Sequence, residues 1–230
     1  MCECHESRDR SDSVAHGTRG ILPDIGPVLR MGASVFYRNH VDWTPLHLAA
    51  FKGKLQDCRT LIDAKAVVND ENMDYKTPLH YAAQCGFVDV CQVLLVNGAH
   101  VCTETPSGIA PMHLAAKNGH TAVLDLLLQY DAPVDVLTAE NETPLHFAVA
   151  KGNKEAVLLL LDRGASLTSI TKDGRSSLDL AVKKRPELVE LLEKKGAKVA
   201  NELTIYSQGA EGSSSTELMM SGGPGISEDK

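Results

Sequence analysis

Aromatic side chains are scarce in this chain of 230 residues: Phe, Trp and Tyr make up 4% of it, against 43% for all hydrophobic residues. A core built from rings is thereby excluded, and the interior must come from Leu, Val, Ile and Ala, which favours close-packed helices. Long apolar runs are missing too. No stretch reaches the length of about 18 apolar residues that a membrane span needs, and Met1 to Arg10 is charged where a signal peptide would be apolar. The chain therefore reads as soluble and cytoplasmic, with nuclear entry left open. Excess positive charge is also lacking. A formal net charge of -7 argues against general binding to nucleic acid or anionic membranes, which needs a basic footprint.

The six cysteines do not follow the spacing of a secreted disulfide framework, so reduced thiols are expected. Cys58 and Cys91 lie 33 residues apart, where later segments carry Leu124 and Val157, and read as small core residues. Signatures of catalysis are absent as well: there is no Gly-x-Ser-x-Gly, Walker loop, His-Glu-x-x-His or pair of Cys-x-x-Cys motifs. A non-enzymatic protein without cofactor, metal or catalytic residues is expected.

What the chain does contain is a repeat. Thr44-Pro-Leu-His-Leu-Ala-Ala50, Thr77-Pro-Leu-His-Tyr-Ala-Ala83, Ala110-Pro-Met-His-Leu-Ala-Ala116, Thr143-Pro-Leu-His-Phe-Ala-Val149 and Ser176-Ser-Leu-Asp-Leu-Ala-Val182 each begin 33 residues after the last. A fixed period of this size marks stacked supersecondary units. Thr-Pro supplies an N-cap hydroxyl and then a proline at the first helical position, the Ala pair keeps the helix thin, and Gly53, Gly86, Gly119 and Gly152 end it. A second helix follows over 88–96, 121–129, 154–162 and, after Pro186, 187–194. Leu94, Leu95, Leu127, Leu128, Leu160 and Leu161 give it a buried face. Gly98, Gly164 and Gly196 close it; Asp131 and Lys65 stand in the equivalent place, where Lys65 costs about 1 kcal/mol if the left-handed backbone is kept.

These residues resemble the ankyrin repeat, a 33-residue unit marked by Thr-Pro-Leu-His-x-Ala, over roughly 41–199. The resemblance implies an all-α solenoid of stacked helix-turn-helix units with projecting β-turn fingers, partner binding and no catalysis. The expected divisions are a flexible segment 1–20, a degenerate capping repeat 21–40, repeats at 41–73, 74–106, 107–139 and 140–172, a last repeat with C-terminal cap at 173–206, and a disordered tail 207–230. Pro23, Gly26 and Pro27 interrupt the first of these helices. Charged residues crowd the last repeat, as a solubilising end cap requires.

His47, His80, His113 and His146 recur in register. Helices about 8–10 Å apart keep them from sharing one zinc, whose ligands lie about 2.0–2.1 Å away, so bonds to the turn of the same or adjacent repeat are expected. The same spacing argues against a Cys58–Cys91 disulfide. Cys2, Cys4 and His5 form a compact group open to metal, lipid or redox chemistry. Asn69 partly matches the loop asparagine that hydroxylases modify in ankyrin-like proteins, with Val67 where an acid is expected.

Partner contact is expected at positions the scaffold does not need: Trp43, Phe51, Met73, Tyr75, Lys76, Ile109, Glu140 and Glu142. For Trp43, contact with a partner and packing against the first cap are both open. Tyr75 occupies a place that the family usually gives to glycine. A second, basic site is expected at Lys172, Arg175, Lys183 and Lys184, with a solvated cap face as its alternative. The partner is expected to be another protein, bound by a monomeric adaptor or scaffold. The competing functions are an inhibitor or regulatory subunit of an enzyme, and a binder of acidic or phosphorylated ligands through the basic repeat.

Overall fold

The computed structural model describes residues 34–200. The expected flexible segment 1–20, Cys2, Cys4 and His5, most of the capping repeat 21–40 and the tail 207–230 lie outside the described residues. Ten α-helices and one 3-10 turn follow one another, with no strand among the described residues. The inner helices are α1 (Pro45–Phe51), α3 (Pro78–Cys85), α5 (Pro111–Asn118), α7 (Pro144–Lys151) and α9 (Ser177–Lys184). Each is followed by an outer helix: α2 (Leu55–Asp63), α4 (Val88–Val96), α6 (Thr121–Gln129), α8 (Lys154–Asp162) and α10 (Val189–Lys194). Inner helices stack on inner helices along the whole row, and the first four outer helices stack on one another, in chain order. Ahead of α10, Pro186–Leu188 forms a tight 3-10 turn where a continuous helix was expected. Proline is tolerated only in a first turn, and the chain uses it there to reverse direction.

The core is continuous along the stack and aliphatic. Leu46, Leu79, Met112, Leu145 and Leu178 supply the inner layer; Leu61, Leu94, Leu127, Leu160 and Leu192 supply the outer one. Leu128 and Leu161 are only partly buried, at its edge. Cys58 and Cys91 are fully buried free thiols, and burial pushes each up to about 12. They pack as small apolar side chains and are not thiolates at neutral pH.

The repeated Thr-Pro-Leu-His motif explains why short helices start where they do. The Thr44 and Thr77 backbone N–H groups donate to Nδ1 of His47 and His80 at 3.2 and 3.1 Å, and the threonine hydroxyls lie 2.8 and 2.9 Å from the same nitrogens. Nδ1 is therefore the acceptor and Nε2 carries the hydrogen. That hydrogen reaches the next repeat: Nε2 of His47, His80 and His113 lies 3.0, 3.1 and 3.1 Å from the carbonyls of Lys76, Ile109 and Glu142. Each imidazole thus ties its own turn to the following one. At His146 the Thr143 half is retained, while the buried Nε2 makes no hydrogen bond to the following repeat. Ala110 brings no hydroxyl to the third motif, where only its N–H reaches His113 Nδ1, at 3.1 Å.

Helix ends are satisfied between repeats as well. Asn153 Nδ2 donates to the Ala116 and Lys117 carbonyls at 2.9 Å, and His120 Nε2 donates to the Gln84 carbonyl at 3.0 Å. These are last-turn carbonyls that a short helix leaves without partners. Lys65 and Asp131 adopt the left-handed backbone, at φ 69° and 61°, in the turns after α2 and α6.

Candidate finger surface

Five turns project ahead of the inner helices, at 39–43, 72–76, 105–109, 138–142 and 171–175, and their construction is uniform. The N–H of the first residue donates to the carbonyl of the fifth at 3.0–3.2 Å in every turn. The first residue is Asn39, Asn72, Thr105, Thr138 or Thr171, and its side-chain oxygen accepts the N–H of the fifth at 2.8–3.2 Å. The fourth residue is held at positive φ: Asp42, Tyr75, Gly108, Asn141 and Gly174 take 58°, 58°, 74°, 57° and 69°. Sequence reading missed the Asn/Thr anchors, although they share the 33-residue period of the helix motif.

Glycine meets the backbone demand at Gly108 without strain, and Asp or Asn meets it at small cost. Tyr75 does not. A bulky side chain in this region costs about 1–2 kcal/mol. Tyr75 is nevertheless 53% exposed, and its neighbour Met73 is 62% exposed.

Neighbouring fingers are joined by backbone bonds in one register. Met73 N–H donates to the Val41 carbonyl at 3.4 Å, Ala139 to Ser107 at 2.9 Å, and Lys172 to Glu140 at 2.9 Å. The corresponding donor between the second and third fingers is residue 106, a proline, which has no N–H to give.

The sequence-predicted residues fall into two groups. At the first two fingers Trp43, for which partner contact and packing were both open, is buried: its ring lies 4.4 Å from Tyr81 and 5.6 Å edge-on from Phe51, centroid to centroid. It packs on the next inner helix because Tyr81 there offers an aromatic face, and 9% of it remains exposed. Phe51 and Val41 are half-buried against this cluster. Lys76 Nζ sits 5.6 Å from the Tyr81 ring centroid. The Tyr81 hydroxyl accepts from Asn72 Nδ2 at 2.8 Å, so the finger anchor and the aromatic cluster are one unit. Ile109 is half-buried in the third finger.

The second group lies at the last two fingers. Glu140, Glu142, Asp173 and Arg175 line a shallow depression with Thr171 and Leu180. Burial raises the Glu142 carboxyl above its usual value, against the nearby cation of Lys184. Arg175 is paired with Asp173 at 3.4 Å. Lys172, Lys183 and Lys184 are exposed. The expected basic surface is therefore interleaved with acids. Asn69, half-buried, is engaged: its Nδ2 donates to the Gly98 carbonyl and its Oδ1 accepts the His100 N–H, both at 2.8 Å.

The buried imidazoles are poor candidates for acid–base work, since burial lowers all four below the ordinary 6.5 and places His80 and His146 at about 4. They hold the stack together. A family model of ankyrin repeats (3 copies) matches residues 28–105 and 112–202. The chain belongs to the ankyrin-repeat family. A comparison with curated proteins finds no match. Ankyrin repeats generally mediate protein–protein interaction and are typically non-catalytic. No helix among the described residues is long and apolar enough to cross a membrane.

Proposed function

We propose that this ankyrin-repeat chain is a non-catalytic adaptor or scaffold that holds a partner protein along its finger tips and the inner-helix face. One observation carries the reading. Tyr75 is kept, half-exposed, at a finger position where φ is 58° and where the third and fifth fingers use glycine. A residue that works against its own backbone and is not needed by the core points to a contact outside the chain. Met73 beside it, and Phe51 at the edge of the Trp43–Tyr81 cluster, extend the same apolar surface. Trp43 serves as the floor under that surface. Glu140 and Glu142 lie further along the line of fingers and steer encounter. The Lys172, Arg175, Lys183 and Lys184 surface is the weaker candidate, because Asp173, Glu140 and Glu142 break up its charge.

Position-specific photocrosslinking tests this. A photoreactive side chain placed at position 75 or 109 should capture one partner in common, whereas one at position 131, in an outer-helix turn, should not. Capture only from positions 183 and 184 would overturn the finger assignment.

A further inference from the structure

The missing bond between the second and third fingers bears on what the partner must bring. Every other described pair of adjacent fingers is joined by an N–H from the second residue of one to the third residue of the finger before it. Pro106 breaks that series, so the Asp74 carbonyl is left without its ladder donor, directly between Met73 and Tyr75. A backbone carbonyl of this kind is a strong, directional acceptor. Beside it stand the two most exposed apolar side chains of the fingers, at 62% and 53%.

Charge around this point is mostly acidic. Within 36–43, 69–76, 102–109 and 135–142, Arg38 and Lys76 are the two lysine or arginine residues, and Lys76 lies against the Tyr81 ring. Asp70 is neutralised by Arg38, and Asp135 caps the Ser166 N–H. Asp42, Glu71, Asp74 and Glu104 are left to set the field at the first three fingers, while Glu142, further along, faces the cations of Lys184 and Arg175. Acids on one edge attract a cationic partner and repel an acidic one, with a strength that falls as salt rises.

We propose that the tips of the first three fingers dock a basic segment of the partner protein, with an apolar side chain seated against Met73 and Tyr75 and an N–H donated to the Asp74 carbonyl. This rests on the finger surface being the binding face. The acids supply long-range attraction, the apolar pair supplies the anchor, and the carbonyl fixes the position of the segment.

The test uses the full chain and three labelled synthetic peptides that share one Phe and two Leu and carry Lys/Arg, Ser or Asp/Glu at the remaining positions. Fluorescence anisotropy should show the basic peptide binding most tightly and weakening at least about tenfold when salt rises from about 50 to 300 mM. Tyr75→Gly should weaken it about tenfold or more by removing the anchor. Pro106→Ala restores the missing N–H, which then competes for the Asp74 carbonyl, and should weaken binding about three- to tenfold. Circular dichroism on each variant verifies that the stack is folded. Equal or tighter binding of the acidic or neutral peptide, no binding by any of the three, or unchanged affinity in Pro106→Ala would overturn the proposal. Should position 75 still crosslink a partner while the basic peptide is not preferred, the basic-segment assignment fails and the finger surface stands. Loss of crosslinking from position 75 is what removes the surface itself.

Discussion

Lowering the pH should unstack this protein well above the range where carboxylates titrate, because its recurring histidines are buried in the neutral form. His80 and His146 are 0% and 1% exposed, so solvent screening offers little relief. Burial depresses both from 6.5 to about 4. With the folded value below the unfolded one, the unfolded chain takes up protons first. The stabilisation is complete above pH 6.5 and is lost as the pH falls toward about 4. Each group costs about 1.4 kcal/mol per pH unit inside that window. Two groups together remove about 3–4 kcal/mol between pH 7 and pH 5. His47 and His113 are lowered in the same direction, while Glu142, raised by burial, works the other way. Against a typical total of about 5–15 kcal/mol, the loss is large. Urea unfolding at a series of pH values measures it, with His80→Gln as the comparison, where the slope with pH should be shallower by about one proton. A urea midpoint that is the same at pH 7 and pH 5 would show that the imidazoles are not held neutral by burial.

Leu127→Ala removes a side chain with 0% exposure at the centre of the stack and should cost about 2–5 kcal/mol, read as a fall in the urea midpoint with unchanged binding chemistry at the fingers. Ala110→Thr should instead stabilise the protein by about 1 kcal/mol. The third motif lacks the hydroxyl that lies 2.8–2.9 Å from the imidazole in the other Thr-Pro motifs, and a calorimetric midpoint that fails to rise would mean the site has no room for it.

Much of the architecture was legible because the repeat imposes local rules. A Thr-Pro pair starts a helix by capping and by a preset backbone angle, and an Ala pair thins it; both act within a few residues. The 33-residue period then places Leu79, Met112 and Leu145 in one layer without any knowledge of the whole. The same period placed the histidines in register, and the expected bonds to their own and adjacent turns are present in the first three motifs.

What only the tertiary structure decided are matters of partner choice between repeats. Trp43 carries no local mark of burial; it is buried because Tyr81, on the next inner helix, lies 4.4 Å away. The link from Asn72 to Tyr81 joins a finger to a helix nine positions later, and no spacing rule in one repeat announces it. The consequence of Pro106 likewise appears only when its neighbours are seen to donate an N–H at that position. A periodic sequence fixes what every repeat shares, since those contacts are the same at each step. Where the repeats differ, the outcome depends on which side chain the adjacent unit presents, and that is settled only when the units stack.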